Sequence, residues 1–117
     1  MCVEEALKKY VKENHEEPTI INEYLIGKIK IKSNNGWHGR PSTAISAITN
    51  NYKDNVYITK SDFDIQNAKS VMQMLILAAA QNETVYLAYK LKTQNESTAK
   101  QNLEGVILMD FEFSKIY

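Results

Sequence analysis

The sequence predicts an α+β fold, a two-layer sandwich in which a mainly antiparallel four-stranded sheet carries its helices on one face. Three observations lead there. From Tyr24 to Lys32 the chain alternates, Leu25, Gly27, Ile29 and Ile31 against Ile26, Lys28, Lys30 and Lys32, which is the two-residue repeat of a strand with one wet face. Two later stretches, Ala44, Ile45, Ile48 and Ala99, Leu103, Val106, Ile107, recur at three and four as on helices. Finally, 117 residues that are 44% hydrophobic support one compact domain and leave no room for a second domain with its own core.

In chain order, Val3, Leu7, Tyr10 and Val11 fall near one helical face and Pro18 stops that pattern, so residues 1–23 read as a short helix plus linker. This segment holds three lysines against six glutamates, whereas the remainder holds eleven basic and eight acidic residues. The shift in charge sets a boundary, with an acidic extension over 1–23, an appendage, and the main domain over 24–117. After the first strand come the loop residues Ser33 to Gly36, then a helix ending near Asn50 and Asn51. Val56 and Ile58 mark a second strand, and Phe63 and Ile65 allow a short third. Ser70 and Gln73 fit a capping box opening a helix of two or three turns in the apolar run 71–80. Val85, Leu87 and Leu91 form a fourth strand, and a last helix starts after cap candidates at 95–98. The order of the main domain is β-α-β-β-α-β-α.

Composition excludes several classes. The formal net charge is zero, which argues against a dedicated nucleic-acid binder because neutralising phosphates takes a clustered cationic surplus. The longest apolar run, residues 74–80, falls short of the roughly 20 residues that span a bilayer. The first ten residues are charged throughout and lack the apolar core of a secretory signal, and the single cysteine, Cys2, suits a reducing compartment, so a cytoplasmic protein is expected. His15 among Glu13, Glu16 and Glu17 reads as a solvated charge run, so neither a metal nor another cofactor is expected. Tyrosines beside lysines, such as Tyr86, Tyr89 and Lys90, fit amphipathic strands better than a base-stacking platform.

Scarce residue types converge at one place. Residues 36–41, Gly-Trp-His-Gly-Arg-Pro, contain the sole Arg and sole Trp, one of two His, one of two Pro and two of four Gly. Lying between a strand and a helix, they put His38 at or just before a helix N-terminus, where free N–H groups and the dipole favour an anion. Pro41 suits the first turn, where its missing N–H costs no helical hydrogen bond. Gly36 and Gly39 let the backbone turn sharply. The positive helix end favours an uncharged imidazole whose ring nitrogen is a nucleophile, and Arg40 with the helix amides can stabilise a phosphoryl group once it arrives. A plainer reading stands beside this one, in which His38 caps the helix and Arg40 pairs with a surface carboxylate.

Two motifs carry a family resemblance. Residues 36–43, Gly-Trp-His-Gly-Arg-Pro-Ser-Thr, resemble the Gly-x-His-Ala-Arg-Pro-Ala-Thr signature of the histidine-containing phosphocarrier protein (HPr) of the bacterial phosphoenolpyruvate:sugar phosphotransferase system, and residues 68–75 are similar to its Lys-Ser-Ile-Met-Gly regulatory segment. The likeness covers roughly residues 24–109 and implies an HPr-like open-faced sandwich. It implies a carrier with no substrate pocket of its own, not an enzyme, in which His38 takes a phosphoryl group on Nδ1 from phospho-Enzyme I, Arg40 assists, and a IIA domain of a sugar transporter receives the group. Gly39, Arg40 and the helix amides would hold the phosphate. Ser70 would be a regulatory serine, with HPr kinase/phosphorylase and a catabolite-control repressor as further partners, while a plain N-cap role already accounts for it. Trp37, Lys69, Val71, Met72 and Gln73 are the candidate partner contacts, Met72 as the exposed apolar residue, with Lys53 and Lys69 steering acidic partners and Leu75 in the core.

The chain departs from that pattern at three points. Gly39 stands where the family has Ala and is expected to loosen the first helical turn by about 0.5–1 kcal/mol. Gln73 replaces a Gly and adds bulk on the docking face, and the acidic extension has no counterpart. A rival reading is a regulatory binding module on the same fold, controlled through Ser70 without carrying sugar-uptake flux; a remoter one is an oligomerising protein, against which a monomer is expected.

Overall fold

Nine elements make up the protein, described over residues 1–115 in a computed structural model. They are α1 (Val3–Lys12), β1 (Thr19–Ile21), β2 (Tyr24–Lys30), α2 (Arg40–Thr49), β3 (Val56–Thr59), β4 (Gln66–Asn67), α3 (Val71–Leu77), β5 (Thr84–Lys90) and α4 (Glu96–Ser114). The sheet runs β1-β2-β5-β3-β4 and every neighbouring pair is antiparallel. From β2 onward the order is the expected β-α-β-β-α-β-α.

The period-two pattern of β2 sorts its residues onto two cores. Leu25 and Ile29 join Val56, Ile58, Val85, Leu87 and Tyr89 under α2, α3 and α4, with Ile45, Met74, Leu77, Leu103 and Val106 packed on them. Gly27 faces α4 so closely that a Cβ there would meet Leu103 Cδ2 at 2.5 Å. Tyr24, Ile26 and Ala88 point the other way and are covered by Ala6, Leu7 and Tyr10 of α1.

Three expectations change here. The segment before Tyr24 adds a short strand where a linker was read, because Thr19–Ile21 pairs with residues 24–26 of β2, so the sheet has five strands rather than four. The helix of that segment lies flat on the face expected to be open, since the stripe of Leu7 and Tyr10 buries against Ile21, Tyr24 and Ile26. The third strand of the main domain lies at Gln66–Asn67 and not at Phe63 and Ile65, which instead pack against the core beneath α1.

Every buried side-chain nitrogen and oxygen among the described residues has a hydrogen-bond partner. Two buried carboxylates carry much of this. Asp54 accepts from the amides of Lys92 (3.0 Å), Thr93 (2.7 Å) and Gln94 (2.9 Å) and from Thr93 Oγ1 (2.8 Å), tying the β5–α4 loop to the start of β3. Burial alone raises its pKa, but the four donors outweigh that and hold it at about 2. Asp110 likewise gathers hydrogen-bond donors, near the other end of α4.

Candidate functional site

The loop from β2 to α2 is bent by residues with unusual backbone. Asn35 (φ 67°), Gly36 (φ 77°) and Gly39 (φ 49°) all occupy positive φ. At Gly36 a side chain is excluded twice over, because a Cβ would also lie 2.3 Å from the Ala79 carbonyl oxygen. Gly39 is the N-cap of α2 rather than a residue of its first turn. The expected loosening by glycine is therefore reversed: at this φ an L-residue is strained, and glycine is the residue that suits the cap.

Among the described residues no side chain caps α2, and its first turn holds no acidic residue, so none of them compensates the positive end of the helix. His38, Gly39 and Arg40 are exposed there. With Asn34, Asn35, Gly36, Pro41 and Phe113, His38 and Arg40 line a shallow depression of about 240 Å³. The plainer reading of both residues does not hold. His38 does not cap the helix, and Arg40 has no carboxylate partner among the described residues. Pro41 sits buried in the first turn, and Ser42 Oγ donates to the Trp37 carbonyl at 2.5 Å, which closes the loop onto the helix.

Trp37 is not an exposed partner contact. It is fully buried, its amide donating to the Ala79 carbonyl (2.9 Å) and its indole Nε1 to Asp110 Oδ1 (2.7 Å). The sequence reading missed Asp110, although a signal was there: Ala99, Leu103, Val106 and Asp110 share the buried face of α4, and a carboxylate on a core stripe needs donors.

The second group of predicted residues gathers at the start of α3. Ser70 is its N-cap, Oγ accepting from the Gln73 amide at 3.2 Å. The capping box is not reciprocal, because Gln73 Oε1 instead takes the Asn67 amide (2.6 Å). Lys69 is half-buried with Nζ donating to the Tyr52 carbonyl, while Lys53 is exposed. Val71 and Gln73 are half-buried and Met72 is 72% exposed. Leu75 is corrected from core to surface: Met74 takes the buried position, and Leu75 lies out with Met72 and Ile76, one side of a single helical face.

These two groups stand at opposite ends of α2. Asn50, the C-cap of α2, donates to the Lys69 carbonyl (2.8 Å), whereas Ala79, just past α3, accepts from Trp37 beside His38. So α3 runs back along α2, whose ten residues span about 15 Å. The exposed stripe Met72, Leu75 and Ile76 leads from Ser70 towards the His38 loop.

A family model described as PTS HPr component phosphorylation site matches residues 27–107. The chain belongs to the HPr family. Among solved structures, HPr-C-His from Thermoanaerobacter tengcongensis is similar at 25% identity and TM-score 0.64, over 74% of this chain and 94% of that one. The phosphocarrier protein HPr from Bacillus anthracis is similar at 23% identity and TM-score 0.64, over 75% and 98%. The Bacillus subtilis catabolite repression containing protein Crh, described as a swapped dimer, is similar at 24% identity and TM-score 0.51, over 73% and 91%. No curated protein sequence matches significantly. The stretch matched to HPr contains His38, Arg40 and Ser70 but stops before Asp110 and begins after α1 and β1. Among the described residues no helix is long and apolar enough to cross a membrane, and no three His, Cys, Asp or Glu side chains form a metal cluster. His15 instead stacks on Tyr10 (5.2 Å between ring centroids) and bonds Glu13 Oε1 at 2.8 Å.

Proposed function

We propose that this HPr-family chain carries phosphoryl groups on His38 within the phosphotransferase system. The observation that carries the reading is an exposed His38 and an exposed Arg40 that, among the described residues, pairs with no carboxylate, beside a helix start that no described side chain caps. In the first half-reaction the P–N bond of the phosphohistidine on Enzyme I breaks as a P–N bond to Nδ1 of His38 forms, and the donor imidazole leaves with its electron pair. The second half-reaction repeats this in the other direction, from His38 to a histidine of a IIA domain. The arriving group brings negative charge to the N–H groups of α2 and to Arg40, which stabilise it without burying it, so it can be passed on. The depression is too open to enclose a small substrate, and the partner supplies the other half of the reaction centre. The protein works in the cytoplasm, where Enzyme I, IIA domains and phosphoenolpyruvate meet.

The exposed stripe Met72, Leu75 and Ile76, leading from Ser70 towards the His38 loop, suits transient docking by partners that differ in detail, with Lys53 adding positive charge at the far end of α2. Lys69, held on the Tyr52 carbonyl, serves that end of the surface structurally. A second reading rests on Ser70. Its hydroxyl sits at the start of α3 next to the same stripe, so a phosphate placed there by an HPr kinase/phosphorylase would change the charge of the docking face and favour a catabolite-control repressor as partner.

Intact-mass spectrometry at mildly alkaline pH, after mixing the chain with Enzyme I and phosphoenolpyruvate, tests the carrier reading. One acid-labile phosphoryl group is expected, absent in His38→Ala and lost on adding a IIA domain. No gain, with the same Enzyme I active on another carrier, would overturn it and leave the Ser70 reading, tested by the kinase with ATP on Ser70→Ala as control.

A further inference from the structure

We infer that Asp110 is a positioning residue for phosphoryl transfer, holding the His38 loop in place from the end of α4. This deepens the carrier reading and rests on it. The Asp110 side chain is 2% exposed, and its two oxygens gather four donors from one loop. Oδ2 accepts the Lys32 amide at 2.9 Å. Oδ1 accepts the Ser33 amide (3.0 Å), Ser33 Oγ (2.6 Å) and Trp37 Nε1 (2.7 Å).

These donors are the two ends of the tight turn that delivers His38. Ser33 opens it, with the Gly36 amide returning to the Ser33 carbonyl at 3.0 Å, and Trp37 closes it one residue before His38. A single carboxylate, 73 residues away from Trp37 in the chain, thus fixes the exit of β2 and the entry to His38 together. Ser42 Oγ on the Trp37 carbonyl passes that constraint to the first turn of α2, where the receiving amides lie. The same turn of α4 brings Phe113 to the wall of the His38 depression. Charge-assisted hydrogen bonds of this length are the strong kind, and neutralising the acceptor weakens all four. Displacing an attacking atom by about 1 Å costs on the order of a hundredfold in rate.

The test uses Asp110→Asn in the full chain, with Trp37→Phe as a second variant that removes the indole donor, together with part of a buried ring, and leaves the other three hydrogen bonds. An asparagine in either orientation turns an NH₂ towards at least one N–H donor, so the loop must shift. Asp54→Asn is the control, because it cuts an equally dense set of donors in a loop at the other end of α4. In single-turnover phosphorylation by phospho-Enzyme I, Asp110→Asn is expected to lower the saturating rate about tenfold or more. Trp37→Phe would lower it less, with the half-saturating donor concentration and the phosphorylated fraction unchanged in both. A variant that is merely less folded would lose amplitude and keep its rate. Unchanged rates in Asp110→Asn, or an equal drop in Asp54→Asn, would overturn the assignment. Amide exchange at Ser33 and Trp37 reads the loop without any partner. Unchanged exchange in Asp110→Asn overturns the inference whatever His38 accepts. Faster exchange in a chain whose wild type takes no phosphoryl group would overturn the carrier reading and keep Asp110 as the holder of the loop.

Discussion

Leu7→Ala tests how firmly α1 belongs to the molecule. Leu7 is fully buried between α1 and the sheet, in a cluster with Tyr10, Ile21, Tyr24 and Ile26. Truncating a buried leucine costs about 2–5 kcal/mol, the spread reflecting how far the site collapses around the gap. One side of α1 faces solvent and the helix can settle towards the sheet, which places the loss in the lower half, about 3 kcal/mol. With a urea slope of about 1.5 kcal/mol/M for a chain of this size, the midpoint should fall by about 2 M. The assay is equilibrium urea unfolding followed by tryptophan emission. Trp37 is the sole tryptophan and lies in the cluster on the opposite face, so its signal moves only if the loss under α1 is felt by the whole domain. A midpoint on that signal within about 0.3 M of wild type, a change of about 0.5 kcal/mol, would refute the reasoning and make α1 an independently detaching helix.

Gly36→Ala combines a positive φ with a Cβ 2.3 Å from the Ala79 carbonyl, and should destabilise by about 2 kcal/mol or more in the same titration, against a smaller loss for Gly39→Ala, which meets no neighbour within 4 Å. Ser70→Ala removes the acceptor for the Gln73 amide and should cost about 1 kcal/mol by urea unfolding, with α3 fraying first in amide exchange. Asp54, held at about 2 from an ordinary 3.8, contributes stability that is fully present above the unfolded carboxylate value and disappears as pH falls through about 2. The stability difference between wild type and Asp54→Asn should therefore be constant from pH 7 to 5 and shrink steadily between pH 4 and pH 2; a difference that grows on acidification would contradict that direction.

What was legible in the sequence was whatever neighbouring residues decide among themselves. The alternation at 24–32, the helical spacing of Ala44, Ile45 and Ile48, and the clustering around His38 are local patterns, and the elements appear where they place them. Position within a short apolar run was not legible: Val71 to Leu77 is apolar at six of seven places, so nothing local says that Met74 rather than Leu75 turns inward. β4 shows no alternation because its two residues pair at an edge by backbone bonds alone. The burial of Trp37 depends on Asp110, and the resting place of α1 on Ile26 and Ala88, partners too distant in the chain for periodicity to announce. For the site this meant that the two motifs were found and the residue bracing one of them was not.

The sheet order has a bearing on how the molecule behaves in a crowd of its own kind. An unpaired outer strand is a template on which another chain can extend the sheet. Here the outermost strands are three and two residues long, and where β1 stops, lysines at 28 and 30 occupy the margin of β2 that it leaves bare. Neither border offers a long neutral ladder, and two copies brought together along β2 would set lysine against lysine. The added hairpin thus works as a selvedge, closing most of one border of the sheet to a further strand.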